Sequence, residues 1–197
     1  MSLKLILPLP TSINDLYVNE YKWNPIKKMR VPTGARVMSS QGEKVRKQIV
    51  EAATSQLSNQ IWDYEYTKNH YVFMDAIIFF NRLGRDDNNI YKLNNDALEK
   101  IVYDNDSRVL TRTQRIYYDK EKPRVELTFT AVNYIGIFDN QNELDTFEDR
   151  CKTCMRYKNN CSILVAAKEA RIQEEIDDKN CLKFKEIKIK KDKKDKK

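Results

Sequence analysis

The spacing of apolar residues along the chain predicts four strands. Leu3–Leu7 is a short apolar stretch that ends at a proline-rich turn, and Tyr71–Phe80 is rich in β-branched and aromatic residues. Val109–Tyr118 and Arg124–Thr130 follow later, and the second of these alternates apolar with polar side chains. The segment Lys120–Pro123 between them is typical of a hairpin turn, so we expect these two strands to pair.

A periodicity close to that of an α-helix appears twice. Ser40 and Glu43 form a capping box before the first helix. The apolar positions of this helix are Val45, Ile49, Ala52, Ala53 and Leu57. Those of the second helix are Ile90, Leu93, Ala97 and Ile101, with Asn89, Lys92 and Asp96 on a different face. The pattern predicts an α+β fold, with a small mixed sheet packed with two helices and a mainly helical C-terminal extension.

Length and charge divide the chain further. Its 197 residues suffice for one domain of ordinary size at 1–135, an appendage at 136–181 and a lysine-rich tail at 182–197. The net charge is +7, but nine lysines against three acids give Leu182–Lys197 a balance of +6, which leaves +1 for the rest. Such a tail is typical of a disordered, solvated extension, and it can also add salt-sensitive attraction to phosphate.

Several classes of protein are disfavoured by what the sequence contains. No apolar run approaches the length of a membrane span, and the start MSLKLILPLP lacks the features of a signal peptide, so we expect a cytoplasmic protein. The sole histidine, His70, has no partner that indicates a catalytic triad, and we expect it in a loop or at a strand edge. With four glycines and no phosphate-binding loop motif, nucleotide binding is not expected.

The segment Gly84–Val109 is the most informative for chemistry. It gathers oxygen-bearing side chains at both ends of the second predicted helix, at Asp86, Asp87, Asn88, Asn89, Asp104, Asn105 and Asp106. Hard ions such as Mg²⁺ or Mn²⁺ bind several oxygen ligands, and hydrolysis of a nucleic-acid backbone commonly uses them. The alternative is that two polar loops simply cap a helix, because Asp and Asn are common in turns and at helix starts.

The same segment resembles the RusA-type Holliday junction resolvases, small endonucleases that cut four-way DNA junctions. Their signature is Asp-x-Asp-Asn-x-x-Lys, an Asp-Ala-Leu helix and then Asp-Asp-x-Gln-Val, which appear here within Asp86–Lys92, Asp96–Leu98 and Asn105–Val109. A second motif, Leu-Pro-x-Pro-Pro-Ser-x-Asn-x-x-Tyr, is matched by Leu7–Tyr17 except at Thr11. A small Ser-x-x-Gly turn is matched by Ser39 and Gly42, so the resemblance covers about Leu3 to Thr130.

The resemblance implies specific roles within these motifs. Asp86 and Asp106 would be metal-binding carboxylates, Lys92 a catalytic or phosphate-contacting cation, and Asn89 would steady the first loop. Asn88 stands where the family has its second aspartate. An amide oxygen can bind Mg²⁺, but it supplies no negative charge and cannot act as a base.

Three interpretations of this departure stay open. Asp87 or Asp104 takes the place of the missing carboxylate, the subfamily works with an amide ligand, or the chain binds junctions without cutting them well.

The resemblance also implies partners and products. We expect a symmetric homodimer that makes paired cuts in branched DNA and leaves a 5′-phosphate and a 3′-hydroxyl, in recombination and repair. Candidate DNA contacts are Asn14 in the N-terminal motif, the basic loop with Lys22, Trp23, Lys27, Lys28, Arg30 and Arg36, and then Arg112 and Arg115. Alternatives are a non-catalytic junction-binding protein of the same fold and a zinc-dependent transcription factor.

All four cysteines fall in the last quarter of the chain, outside the resolvase-like part. Cys151, Cys154, Cys161 and Cys181 are spaced Cys-x₂-Cys-x₆-Cys-x₁₉-Cys. In a reducing compartment this pattern suits structural Zn²⁺, whereas redox chemistry, a metal-free knuckle or an iron–sulfur cluster are the alternatives. A helix predicted at Ser162–Asp177 would span more than about 20 Å, so Cys181 would have to fold back to join the others.

Overall fold

The computed structural model describes residues 2–157 and 161–187. The chain divides into two compact units, Met1–Val132 and Asn133–Lys197, called here the N-terminal and C-terminal units. The domain bounds expected from the sequence stay predictions. Residues 188–197 of the predicted tail lie outside the described residues. In the part of the chain that is described, no helix is both long and apolar enough to cross a membrane.

The N-terminal unit is built from six strands and three α-helices in its described residues. In chain order they are β1 (Ser2–Pro8), α1 (Ile13–Leu16), β2 (Tyr17–Asn24), β3 (Met29–Met38), α2 (Ser40–Leu57), β4 (Val72–Phe80), α3 (Asn88–Leu98), β5 (Val109–Tyr118) and β6 (Arg124–Ala131). Short 3₁₀ turns occupy Glu65–Lys68 and Asp106–Arg108. Four of the strands form a mixed sheet, which confirms the α+β prediction.

The sheet has the strand order β1-β6-β4-β5, with β5 parallel to β4 and the other neighbours antiparallel. One face is strictly apolar because every second residue of its inner strands is buried, as in β4 with Val72, Met74, Ala76, Ile78 and Phe80. The buried stripes of α2 and α3 complete this core. The core therefore fixes the start of α3, where the acidic segment lies.

The expected pairing of the last two strands of this unit is wrong. β4 lies between β5 and β6, so Lys120–Pro123 connects two strands that are not neighbours. The reason is the connection through α3, since a crossover helix returns the chain parallel to the strand it left and next to it. β6 pairs on the other side of β4, between β4 and β1.

Three local predictions also need correction. The first long helix is capped by Ser39, whose Oγ accepts the Gly42 N–H at 3.1 Å, and not by Ser40. The basic segment expected as a loop is the hairpin β2–β3. Ile101 lies beyond the end of α3 at Leu98.

The C-terminal unit contains two helices and one small hairpin in its described residues. They are α4 (Gln141–Lys152), α5 (Ser162–Lys168), β7 (Ile176–Asp177) and β8 (Asn180–Cys181). The predicted helix Ser162–Asp177 is wrong beyond Lys168, because Ala170 adopts a left-handed backbone conformation with φ 58° that ends the helix.

Candidate functional site

The N-terminal motif folds into a tight turn that ends in a buried anchor. Ser12 caps the start of α1, and its hydroxyl accepts the Asn14 N–H at 3.4 Å. Leu16 closes the turn and is fully buried in the core of the unit. The backbone N–H of Ser39 then bonds to the Leu16 carbonyl at 2.8 Å. The first motif is thereby joined to the start of α2.

The Ser-x-x-Gly turn packs directly on that anchor. A Cβ atom on Gly42 would lie 2.8 Å from Leu16 Cδ1 and 3.0 Å from Met38 Cγ, so these side chains would have to shift to admit a larger residue. Ser39 Oγ, besides capping α2, donates to the Asp15 carbonyl at 2.9 Å. Two of the three sequence elements that carry the resemblance are therefore in contact.

The third element meets the first one at a cleft of about 300 Å³. The cleft is lined by Ser12, Asn14, Asp15, Arg82, Gly84, Arg85, Asp86, Asn89 and Ile90. It lies between α1 and the start of α3, and its lining is more polar than apolar, with two carboxylates, two amides and two guanidinium groups. Such a lining suits a ligand that combines charge of both signs, as a phosphodiester with a bound cation does.

Asp86 presents its carboxylate at the entrance to α3. One oxygen accepts the N–H of Asn88 at 2.9 Å, which fixes the loop, and no other described residue hydrogen-bonds or ion-pairs with this side chain. Asn88 is the first residue of α3 and its amide is exposed. Both groups keep oxygen atoms free for a ligand.

Lys92 lies further along α3, within a second group of charges. Its ammonium forms an ion pair with Asp96 at 2.6 Å. This hydrogen bond holds the pKa of Lys92 above its usual value against partial desolvation, and the charges of Asp96, Tyr17 and Asp106 act in the same direction. Lys92 therefore stays protonated and lies within electrostatic range of Asp106.

Asp106 begins the 3₁₀ turn after α3 and is half-buried. Its loop is set by Asn105, whose side chain accepts the Ser107 N–H at 2.9 Å. Across residues 2–157 and 161–187, no side chain is hydrogen-bonded or ion-paired to the Asp106 carboxylate. Its charge contributes, after burial, to raising the pKa of Tyr103.

The two acids considered as substitutes for the missing aspartate point elsewhere. Asp87 accepts a hydrogen bond from the Thr113 hydroxyl on β5. Asp104 pairs with Lys100 at 2.8 Å, and this hydrogen bond is the main cause that lowers the pKa of Asp104. Neither residue lines the cleft. Asp15 does line it, and its carboxylate is exposed beside the motif asparagine.

The candidate residues therefore form two adjoining groups along α3. Asn14, Asp86 and Asn89 line the cleft, whereas Lys92 and Asp106 lie with Asp96 beyond it. Among the described residues, no three His, Cys, Asp or Glu side chains already form a group that could hold a metal ion. Because Asn89, Lys92 and Asp96 follow each other at three- and four-residue spacing, they share one helix face that spans roughly 10 Å.

The basic candidates divide into exposed and engaged groups. Lys27, Lys28 and Arg30 are exposed at the tip of the β2–β3 hairpin, next to Trp23, which is 62% exposed. Arg36 bonds to the Tyr17 carbonyl at 2.9 Å at the hairpin base. The remaining two, Arg112 and Arg115, lie on β5 of the sheet.

Both arginines of β5 have partners within the unit. Arg112 makes two 2.7 Å bonds to Asp75 and lies 3.7 Å above the Phe73 ring, and Arg115 bonds to Tyr117 Oη at 2.9 Å. They are less available to DNA than the hairpin residues. His70 lies in the loop before β4, where its Nδ1 is 3.1 Å from the Tyr66 carbonyl and its ring stacks on Tyr66.

Sequence reasoning missed three residues of the cleft. Asp15 occupies a variable position of the N-terminal motif, and Arg82 and Arg85 flank the glycine before the acidic segment. Their closeness in sequence to motif residues was the available signal.

The four cysteines of the C-terminal unit are free thiols, and Cys151, Cys161 and Cys181 pack against one small core. Burial, and then the neighbouring Cys181, Cys161 and Cys154, raise the pKa of Cys151 to about 11. Burial also acts to raise the pKa of Cys154, but N–H groups of Lys185 and Arg156, with other contacts, bring it below its usual value. All three other thiols are thus within electrostatic range of Cys151.

Comparison with known proteins adds no relative to this description. No protein-family model matches the chain, and a search of curated proteins finds no match.

Proposed function

We propose that the chain is a metal-dependent endonuclease of the RusA-like type that resolves four-way DNA junctions. The observation that carries this proposal is that Leu7–Tyr17 and Asp86–Lys92 meet at one polar cleft, while Ser39–Gly42 packs against the first of these segments. If the Asp and Asn residues only capped a helix, there would be no reason for the two distant motifs to lie at the same cleft. The same proposal places the protein in the cytoplasm with its DNA.

The residues of the site have separable roles in this proposal. Asp86, Asp106 and the amide of Asn88 would hold Mg²⁺ or Mn²⁺, with Asp15 adding the negative charge that Asn88 lacks. Because Asp106 lies beyond the cleft, binding would have to draw its carboxylate toward Asp86. The ion, when bound, supplies an activated water and neutralises charge on the phosphate. Lys92, kept protonated by Asp96, stabilises negative charge that develops on the phosphoryl oxygens. Asn14 and Asn89 position the backbone at the cleft.

The β2–β3 hairpin suits a role in gripping DNA. Its tip combines Lys27, Lys28 and Arg30 with exposed Trp23, and basic groups beside aromatic rings can contact phosphates and unstacked bases. The turn itself is ordered, because Asn24 Oδ1 accepts the N–H groups of Ile26 and Lys27, each at 3.0 Å. Binding through this surface should weaken steeply with salt.

A homodimer is part of the proposal because two symmetric cuts need two sites. The sheet offers one open edge for it. β5 is the outermost strand, Ile116, Tyr117 and Tyr118 on it are exposed, and no described element is hydrogen-bonded along its outer side. The opposite edge is covered, since Gln56 of α2 and Gln60 just after this helix bond to the backbone of Ile6 and Lys4.

The second candidate is a junction-binding protein that does not cut. Asn88 favours it, because the position has no charge and its amide cannot serve as a base. The two candidates differ only in the chemical step, so one substrate can separate them.

A labelled four-way junction, compared with a linear duplex of the same sequence, tests the proposal. With Mg²⁺ or Mn²⁺ we expect paired nicks in the junction only, leaving 5′-phosphate ends, and a loss of nicking but not of binding in Asp86→Asn. A stable junction complex without nicks in either metal supports the non-cutting candidate. Equal affinity for junction and duplex contradicts both.

Two further variants test the place of Asp15. Asp15→Asn should slow nicking, and the added substitution Asn88→Asp should restore it, because either carboxylate supplies the missing charge. If Asp15→Asn nicks at the rate of the unchanged chain, Asp15 has no part in the site.

A further inference from the structure

The C-terminal unit has little apolar packing of its own. The buried cluster in its described part consists of Phe138, Leu144, Phe147, Leu164 and Ala167. Its only described strands are two residues long each, and Ala170, Asp178 and Lys179 have positive φ. Small units with so little core usually depend on disulfides or a structural metal. The cysteines of this unit are all free thiols.

Cys151 and Cys154 form a tight turn at the end of α4. The Cys154 N–H bonds to the Cys151 carbonyl at 2.8 Å, and the Tyr157 N–H bonds to the Cys154 carbonyl at 3.1 Å. The Cys154 sulfur is buried and accepts the Lys185 N–H at 3.4 Å. A sulfur that receives backbone N–H groups is suited to the thiolate form that metals bind.

The segment after Cys181 is paired with this turn. Met155 N–H bonds to the Lys185 carbonyl at 2.8 Å, and Ile187 N–H bonds to the Thr153 carbonyl at 2.9 Å. Cys154 and Glu186 form an antiparallel bridge between the two segments. The chain that leaves Cys181 therefore runs beside Cys154.

The β7–β8 hairpin brings Cys181 itself back to α4. Its turn residue Lys179 forms ion pairs with Asp139 at 2.6 Å and Glu143 at 2.5 Å. Asn180 accepts a hydrogen bond from Arg150 at 2.6 Å, so the residues just before Cys181 and Cys151 are joined. The early end of α5 at Lys168 makes this return possible, which removes the difficulty posed by a longer helix.

Cys161 approaches the same core from the start of α5. It precedes the first residue of this helix, and Leu164 and Ala167 in the next two turns are buried beside Phe138 and Phe147. Cys151, Cys161 and Cys181 all pack against this cluster. Three thiols thus contact one small core, and the fourth, Cys154, lies in the same turn as Cys151.

From this arrangement we propose that Cys151, Cys154, Cys161 and Cys181 bind one structural Zn²⁺ ion. Four thiolates at about 2.3 Å from the ion complete a tetrahedral shell and leave no open position for catalysis. Because the described thiols do not yet form a ready ligand set, binding draws their side chains toward a common centre. The ion replaces the stabilisation that a larger core would give. This site is independent of the proposed nuclease site.

The test is metal content and spectroscopy of the full chain purified under reducing conditions. We expect one Zn²⁺ per chain by elemental analysis, and after exchange into Co²⁺ the visible absorption of tetrahedral cobalt thiolate. All four thiols should react slowly with a thiol reagent until a chelator is added. Thr153→Ser, which keeps its hydroxyl between the first two cysteines, should retain the metal, and Cys154→Ser should lose it.

Several results would overturn the inference. The first is a chain without stoichiometric metal whose thiols react equally fast with and without Zn²⁺. The second is a disulfide between any of the four cysteines that persists under the reducing conditions. The third is a brown protein that contains iron and sulfide. If Cys154→Ser does not fold, the cobalt spectrum and thiol reactivity of the unchanged chain still decide the question.

Discussion

The two units of this chain achieve order by different means. In the N-terminal unit, four strands and the buried stripes of α2 and α3 enclose one continuous apolar core, and the candidate nuclease site lies at the ends of elements that this core holds. In the C-terminal unit, a few apolar residues are surrounded by thiols, ion pairs and short turns. The difference suggests that the first unit is stabilised by packing and the second by a bound ion.

Removal of zinc should give the largest difference between the two units: it should destabilise the C-terminal unit and leave the N-terminal unit folded. Binding of structural zinc can contribute on the order of 10 kcal/mol, far more than the apolar cluster of the C-terminal unit can replace. We expect the amides of α4 and α5 to exchange rapidly with deuterium after chelation, while those of β4 and β6 stay protected. Loss of protection in both units together, or in neither, would break the comparison.

A cavity in the larger core should destabilise the N-terminal unit. Phe129 is fully buried and its ring lies 6.1 Å from that of Tyr103, so Phe129→Ala should cost about 3–5 kcal/mol of the free energy of unfolding. Urea unfolding followed by the fluorescence of Trp62, whose ring lies 6.3 Å from Phe129, measures this.

Ile61→Ala is the matched control for that cavity. Ile61 is 89% exposed, so its truncation should change the free energy by less than about 0.5 kcal/mol. Similar costs for the two variants would mean that the sheet core does not carry the stability of this unit.

Two glycines with positive φ, one in each unit, differ in how closely their surroundings pack against them. A Cβ at Gly136 would lie 2.0 Å from the Ala167 carbonyl oxygen, whereas a Cβ at Gly34 would meet nothing within 4 Å. Gly34→Ala should cost about 1 kcal/mol from backbone conformation alone, and Gly136→Ala should cost at least about 2 kcal/mol. Thermal unfolding compares them, and equal costs would refute a close contact at Gly136.

The covered edge of the sheet should give the smallest effect. Gln56 bonds to both backbone groups of Ile6, at 2.9 and 2.8 Å, so Gln56→Ala should cost about 1 kcal/mol and expose the edge of β1. Faster exchange of the Ile6 amide reports the opening. Glu51→Ala on the exposed side of α2 is the control and should leave this amide unchanged.

Sequence reasoning was most successful where a pattern repeats. The apolar run of β4, the alternation of β6 and the stripes of α2 and α3 predict the core, because burial selects for these patterns. The β2–β3 hairpin escaped prediction, since both strands are largely exposed and nothing imposes alternation on them. The end of α5 could not be foreseen, because alanine is a good helix former and Ala170 stops the helix only through its left-handed conformation.

The site was predicted in part for a similar reason. Motif spacing predicted Asn89 and Lys92 on one helix with Asp86 before its start, and the resemblance linked them to Asn14. Asp87 is hydrogen-bonded to Thr113 on β5, and Asp104 is paired with Lys100 in the turn after α3. The motifs did not predict either contact. The position of Asp15 beside Asp86 likewise arises only when α1 packs on α3.

The most direct test of the proposed nuclease compares two aspartates only two residues apart. Asp106 is without a hydrogen-bonding or ion-pairing partner among the described side chains and lies near Lys92, whereas Asp104 is paired with Lys100. We expect Asp106→Asn to slow single-turnover nicking of a four-way junction by at least about 100-fold with unchanged binding, the scale of losing a group that stabilises the transition state. Asp104→Asn should nick within a few fold of the unchanged chain. Equal nicking rates for the two variants would contradict the assignment of the site.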